Sequence, residues 1–225
     1  MPKNRRFTIQ NVTFTLAALI SLFALAAPPA FSQLSVAANS SSVPNNEFGI
    51  WGGSSFGNPH VIGTTGDRQL TVVGLRYSRT IWEPGNIVSL RYTLDIVPVA
   101  IVGQPAYISC AGGGYCQSGR ETVYGGGINP LGLKLNFLRK NQWQPFVAST
   151  AGFVASVDRV PVDIPGGTLF NFTFDFQAGI QRFNSSRTRA WTLGYKLQHI
   201  SNANRSSLNP GVDFNVLFIG YSFFK

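Results

Sequence analysis

Residues 170–177, FNFTFDFQ, place a phenylalanine at every second position with a polar residue or its equivalent between. Such a stretch has one apolar and one polar face only when extended, because side chains alternate across a strand but recur every 3.6 residues on a helix. Residues 88–96 repeat the pattern, with Val88, Leu90, Tyr92, Leu94 and Ile96 against Ser89, Arg91, Thr93 and Asp95. Eight segments of this kind are expected, near 47–57, 69–82, 87–100, 123–138, 143–156, 167–183, 189–203 and 211–224. The chain therefore reads as all-β.

Alternation alone also suits an exported soluble sandwich that binds lipid or sugar, its polar face in water. The connections separate the two readings. EPGN (83–86), RKNQ (139–142) and NSSRT (184–188) are short turns, whereas 58–68, 101–122, 157–166 and 204–210 are longer links. Tight turns alternating with long loops are the pattern of outer-membrane barrels, and an even strand number leaves both ends on the periplasmic side. The expected fold is an eight-stranded antiparallel up-and-down transmembrane β-barrel over residues 47–225. Its apolar face meets lipid. Arg76, Arg91, Asp95, Lys134, Asp175 and Lys196 then point inward and must pair within a lumen mostly filled by side chains.

Residues 1–32 read as a cleaved secretory signal: Lys3, Arg5 and Arg6 precede the apolar stretch TFTLAALISLFALAA (13–27), and Ala30-Phe31-Ser32 resembles a cleavage site. Residues 33–46 form a polar lead-in. No later stretch supplies the roughly 20 unbroken apolar residues of a membrane helix. The formal charge is +9, and the remainder stays basic without the leader. Its Lys and Arg are scattered and carry no stacking motif, so nucleic acid is not an expected partner; solvated turns and attraction to an anionic lipid surface are the two readings left open. In an exported protein, Cys110 and Cys116 of CAGGGYC favour a small disulfide over free thiols. A metal site would need more ligands than lie in sequence reach.

Parity along residues 189–203 puts Trp191, Leu193, Tyr195, Leu197, His199, Ser201 and Ala203 on one face, opposite Thr192, Gly194, Lys196, Gln198 and Asn202. Only Ile200 interrupts the polar set. In a barrel, His199 and Ser201 thus occupy the lipid-facing wall, where an unpartnered polar group costs on the order of one to several kcal/mol. Odd-numbered strands run outward, so the pair sits at the outer leaflet, which in a Gram-negative bacterium is mainly lipopolysaccharide. Residues i and i+2 of a strand share a face, so His199 is placed to act as general base toward a Ser201 nucleophile. Asp213, opening the next strand, is the candidate acid that orients the imidazole. Asn202, or the backbone N–H groups of Asn202 and Ala203, are candidate donors to an oxyanion. Each of these residues also has a plain role open to it: Ser201, Asn202 and Asn204 begin a turn, and Asp213 caps a loop. His60, in GNPHVIGTTGD, reads as a solvated loop residue, and GGG at 125–127 as a strand bend.

HISNAN (199–204) followed by NPGVD (209–213) resembles the signature of the lipid A 3-O-deacylase family, and the likeness extends to INPLGLKLNF (128–137), FNFTFDFQAGIQRF (170–183) and LGYKLQHISNA (193–203). That resemblance implies an eight-stranded outer-membrane barrel that hydrolyses the ester-linked acyl chain at the 3-position of lipid A, without metal or cofactor. Carried over by position, Ser201 is the nucleophile, His199 the base and Asn202 an oxyanion-hole candidate. The best-known members have glutamate where this chain has Asp213. One methylene shorter, the aspartate requires a closer strand approach or a bridging water. A non-catalytic barrel with a structural or surface-binding role is the alternative that keeps the same scaffold.

Overall fold

A computed structural model describes residues 43–84, 87–111, 115–162 and 166–225. The expected signal segment 1–32 and most of the lead-in lie outside the described residues. Eight strands follow in order: β1 (Asn46–Ser55), β2 (Gln69–Trp82), β3 (Val88–Ser109), β4 (Tyr115–Phe137), β5 (Trp143–Val160), β6 (Thr168–Phe183), β7 (Arg189–Ser201) and β8 (Val212–Phe224). Each pairs antiparallel with its sequence neighbours, and β1 closes on β8 from Glu47↔Phe224 to Ser55↔Val216. The sheet closes on itself as a barrel. Both β1 and β8 have their outer ends at the short-turn rim, so the turns and the four longer connections face opposite ends.

The period-two faces sort as the alternation requires. Ile50, Leu75, Leu133, Phe176, Leu193 and Ile219 are exposed on the outer wall. Arg76, Arg91, Asp95, Lys134, Asp175 and Lys196 are all buried inside, and each charge there has an opposite charge near it. Arg76 grips Asp95 through two bonds of 2.8 and 2.7 Å. Lys196 Nζ lies 3.1 Å from Asp175 and 4.1 Å from the centre of the Trp51 ring. Glu47 is the hub nearest the turns: it accepts from Lys134 at 3.0 Å, Gln181 at 3.0 Å and Ser222 at 2.9 Å, with Arg91 Nε 3.7 Å away.

Toward the loop end the lumen changes character. Leu70, Val72, Val102, Val123, Ile200, Val212, Phe214 and Val216 form an apolar core there. This explains Ile200, the one apolar residue on the polar face of β7: it points inward at a level where the interior is dry. Two internal cavities, one beside Glu47 and Arg76 and one beside Leu70 and Ile200, have volumes near 10 and 20 Å³, about what a single water occupies.

Two links expected to be loops are strand instead. β3 and β4 continue as one hairpin through 101–122, paired from Gly103↔Thr122 out to Ser109↔Tyr115, and β5 runs on to Val160. Gly103 and Pro105 fall within β3, and β2 reaches only to Gln69↔Gly103. Beyond it β3 is paired on one side alone, which is where a sheet tolerates proline. Cys110 and Cys116 are joined at the tip of this hairpin, their Cα atoms 5.8 Å apart.

Candidate active site

β7 ends, and β8 begins, at the loop rim, and their register sets His199 directly opposite Asp213. Cross-strand partners project from the same face with Cβ atoms roughly 4.5–5.5 Å apart. Both side chains point outward from the barrel, and the imidazole Nδ1 meets Asp213 Oδ1 at 2.6 Å. The shorter acid is thus accommodated by direct strand pairing; no bridging water is needed. Ser201 follows on the same outward row, paired across to Phe172 of β6 as His199 is to Phe174. Behind the trio, Ile200, Val212 and Phe214 pack inward and give the site a rigid, dry backing.

The second carboxylate oxygen of Asp213 is held from a direction the sequence did not reveal. The β1–β2 loop folds across the mouth of the β7–β8 pair, and the backbone N–H groups of Val61, Ile62 and Gly63 donate to Oδ2 at 2.8, 2.7 and 2.9 Å. Asn58 Nδ2 donates to the Asp213 carbonyl at 2.8 Å, and Thr64 and Thr65 donate through their backbones to the Gly211 carbonyl at 2.9 and 3.0 Å. Three N–H donors converging on one oxygen stabilise the ionised form and fix its rotamer, leaving Oδ1 for the imidazole. Two glycines permit the closeness. A Cβ on Gly63 would lie 2.6 Å from the Gly211 carbonyl oxygen, and one on Gly211 would lie 2.5 Å from His199 Cε1.

Asn202 departs from its expected role in part. Its side chain turns inward, and both hydrogens of Nδ2 are committed, to the carbonyls of Gly166 and Leu208 at 2.7 Å each. It ties the β5–β6 loop to the β7–β8 loop and offers no side-chain donor to a substrate oxyanion. The backbone at this point turns sharply, with Ala203 and Asn204 at φ of 53° and 62°, so the N–H groups of Asn202 and Ala203 remain the donors to consider. Beyond them Arg205 lays its guanidinium over Phe170 and Phe172, 5.6 and 5.9 Å from the ring centres. Its position over the strand beside Ser201 had no signal in the sequence, because β6 and the β7–β8 loop meet only in the folded barrel. His60 is exposed in the β1–β2 loop. Among the described residues, no three His, Cys, Asp or Glu side chains gather as a metal site would require.

Chemically, the arrangement is an imidazole whose Nδ1 is locked by a carboxylate, which leaves Nε2 as a base, and a hydroxyl on the same row of the lipid-facing wall. The family model for lipid A 3-O-deacylases (PagL) matches residues 88–222, a span that contains all three groups. A search for curated relatives by sequence found no significant match. Among solved structures, the outer membrane enzyme PagL is similar at a TM-score of 0.52 and 16% identity, covering 78% of this chain and 97% of that one. The outer membrane protein OprG from Pseudomonas aeruginosa is also similar, with a TM-score of 0.47 and 11% identity, covering 82% of this chain and 98% of that one. Since the family model spans well over half of the sequence, including the paired ends of β7 and β8, the chain belongs to the lipid A 3-O-deacylase family.

Proposed function

We propose that this protein is a serine esterase of the Gram-negative outer membrane that removes the ester-linked acyl chain at the 3-position of lipid A. The observation that carries the reading is the His199–Asp213 contact of 2.6 Å on the outer wall at the loop rim, beside a serine on the same row. A structural barrel has no need of a carboxylate–imidazole pair facing lipid. Ser201 Oγ attacks the ester carbonyl while His199 Nε2 takes the hydroxyl proton. The tetrahedral intermediate collapses, the sugar 3-hydroxyl leaves with that proton, and Ser201 retains the acyl group. Water, deprotonated by His199, then releases the fatty acid and restores the serine. Asp213 holds the tautomer and stabilises the imidazolium. Backbone N–H groups at Asn202 and Ala203 serve the developing oxyanion, each such donor being worth roughly 3–4 kcal/mol.

Lipid A enters from the outer leaflet, its acyl chain against the exposed Phe170, Phe172 and Phe176 of β6. Arg205, resting on two of these rings, is suited to the phosphate of the substrate. Arg205→Gln is expected to raise KM several-fold, in line with about 1 kcal/mol for one cation at an anionic lipid surface, with kcat little changed; a fall confined to kcat in a detergent assay would remove this role. Residues 1–32 serve, in this reading, as the export signal.

The reading is tested by mass spectrometry of lipid A from a Gram-negative host of known lipid A structure, with and without this protein folded in its outer membrane. Loss of one 3-linked hydroxyacyl chain is the expected change. Unmodified lipid A in membranes containing the heat-modifiable, folded barrel would overturn it.

A further inference from the structure

We infer that the lipid-facing wall of β5 to β8 at the turn end binds the phosphate of an anionic glycerophospholipid, through Arg182 and Arg189. The excess positive charge of the chain concentrates at this end. Arg79, Lys140, Arg182 and Arg189 are all exposed there. Among the described residues, the acidic side chains at that end are Glu83, bonded to Arg139, and Glu47, enclosed in the lumen. At the loop end, by contrast, the exposed Arg120 pairs with Asp67, and among the described residues Arg68, Arg120, Arg159 and Arg205 are matched in number by Asp67, Glu121, Asp158 and Asp213. The scattered basic residues of the sequence are thus sorted by the fold into a rim of one sign.

Within that rim, two arginines form a built surface. Arg182 is in register with Trp143 on β5 and Trp191 on β7, and Trp191 is in turn opposite Tyr221 on β8. Arg189 stands opposite Phe223, one outward-facing position closer to the turns. The Arg182 guanidinium lies 5.4 Å from the Trp143 ring centre and that of Arg189 5.9 Å from Phe223. Both charges are therefore laid along an aromatic belt at the membrane–water boundary, where rings and guanidinium groups anchor together. Arg182 and Arg189 are diagonal neighbours on one face, their backbones at a spacing of roughly 7–8 Å, and a phosphate seated between them lies within reach of both long side chains. Neither meets a carboxylate among the described residues. Directly above them, toward the membrane centre, Leu193 and Ile219 are 60% and 57% exposed and offer a path for the acyl chains of the same lipid.

This inference goes beyond the esterase reading and does not depend on it, since it concerns the opposite rim and none of the residues assigned to chemistry. The folded full chain in detergent is titrated with phosphatidylglycerol or phosphatidylcholine and the bound lipid counted by native mass spectrometry. Two cations facing a phosphate that no choline neutralises correspond to a preference on the order of 30-fold for the anionic lipid, and R182Q/R189Q should abolish it. Arg159→Gln, at the loop end, should leave it intact. Equal binding of the two lipids by the wild-type protein overturns the proposal without any variant, and so does an undiminished preference in R182Q/R189Q or in Arg182→Gln alone.

Discussion

Ser201→Ala is expected to lower lipid A deacylation by a factor of roughly 10⁴–10⁶, with the barrel still folded by its heat-dependent shift on gels. The hydroxyl is small and sits on the outer wall, so its removal leaves the strand pairing of β7 with β6 and β8 in place. Asp213→Asn is the informative companion. In the native site one carboxylate oxygen accepts from His199 and the other accepts three backbone N–H groups. An amide cannot do both. If its oxygen faces Val61, Ile62 and Gly63, its NH₂ faces Nδ1 and selects the tautomer protonated on Nε2, which is no base toward serine. If it flips, the NH₂ opposes three donors. The expected loss is about 10⁴-fold in kcat, with KM nearly unchanged, measured by release of fatty acid in detergent micelles. Activity retained by Ser201→Ala would remove the acyl-enzyme; activity retained by Asp213→Asn would reduce the loop contacts to loop packing.

The largest effect on stability is expected inside the lumen. Glu47 balances Lys134 and Arg91 and accepts from Gln181 and Ser222. Glu47→Ala leaves two enclosed cations without their counter-charge, a change that typically costs 3–5 kcal/mol. Urea unfolding in detergent, followed by tryptophan fluorescence, should show the loss. E47A/K134M should recover part of it, because the second change removes one stranded charge and leaves a side chain of similar length. If E47A alone unfolds at the wild-type midpoint, the hub does not carry the interior.

Much of this was legible along the chain. A period of two is a local property, so FNFTFDF identified β6 and its two faces without reference to any partner. The same parity put His199 and Ser201 on one wall, whereas Asp213 joins them through the β7–β8 register. What lay outside the reach of parity was how far pairing persists: residues 101–122 read as a long link, yet they form a hairpin supported by its own two strands, which tolerates Gly103 and Pro105. The polar reading of the lumen was correct near the turns and gave no warning of the apolar core under the loops. Ile200 was the clue that the alternation of β7 offered, and one residue does not define a layer.

Sequence periodicity by itself determined the class of fold, the inward and outward faces and the row that carries the imidazole and the hydroxyl, because those follow from the geometry of a single extended backbone. Only the closed barrel decided that Val61, Ile62 and Gly63 would converge on Asp213, that Asn202 would be spent on two loop carbonyls and that Arg182 and Arg189 would share one aromatic belt. These contacts join segments far apart in the chain, and their geometry is set by strand register and by the few hydrogen-bonding groups left unpaired when the sheet closes on itself.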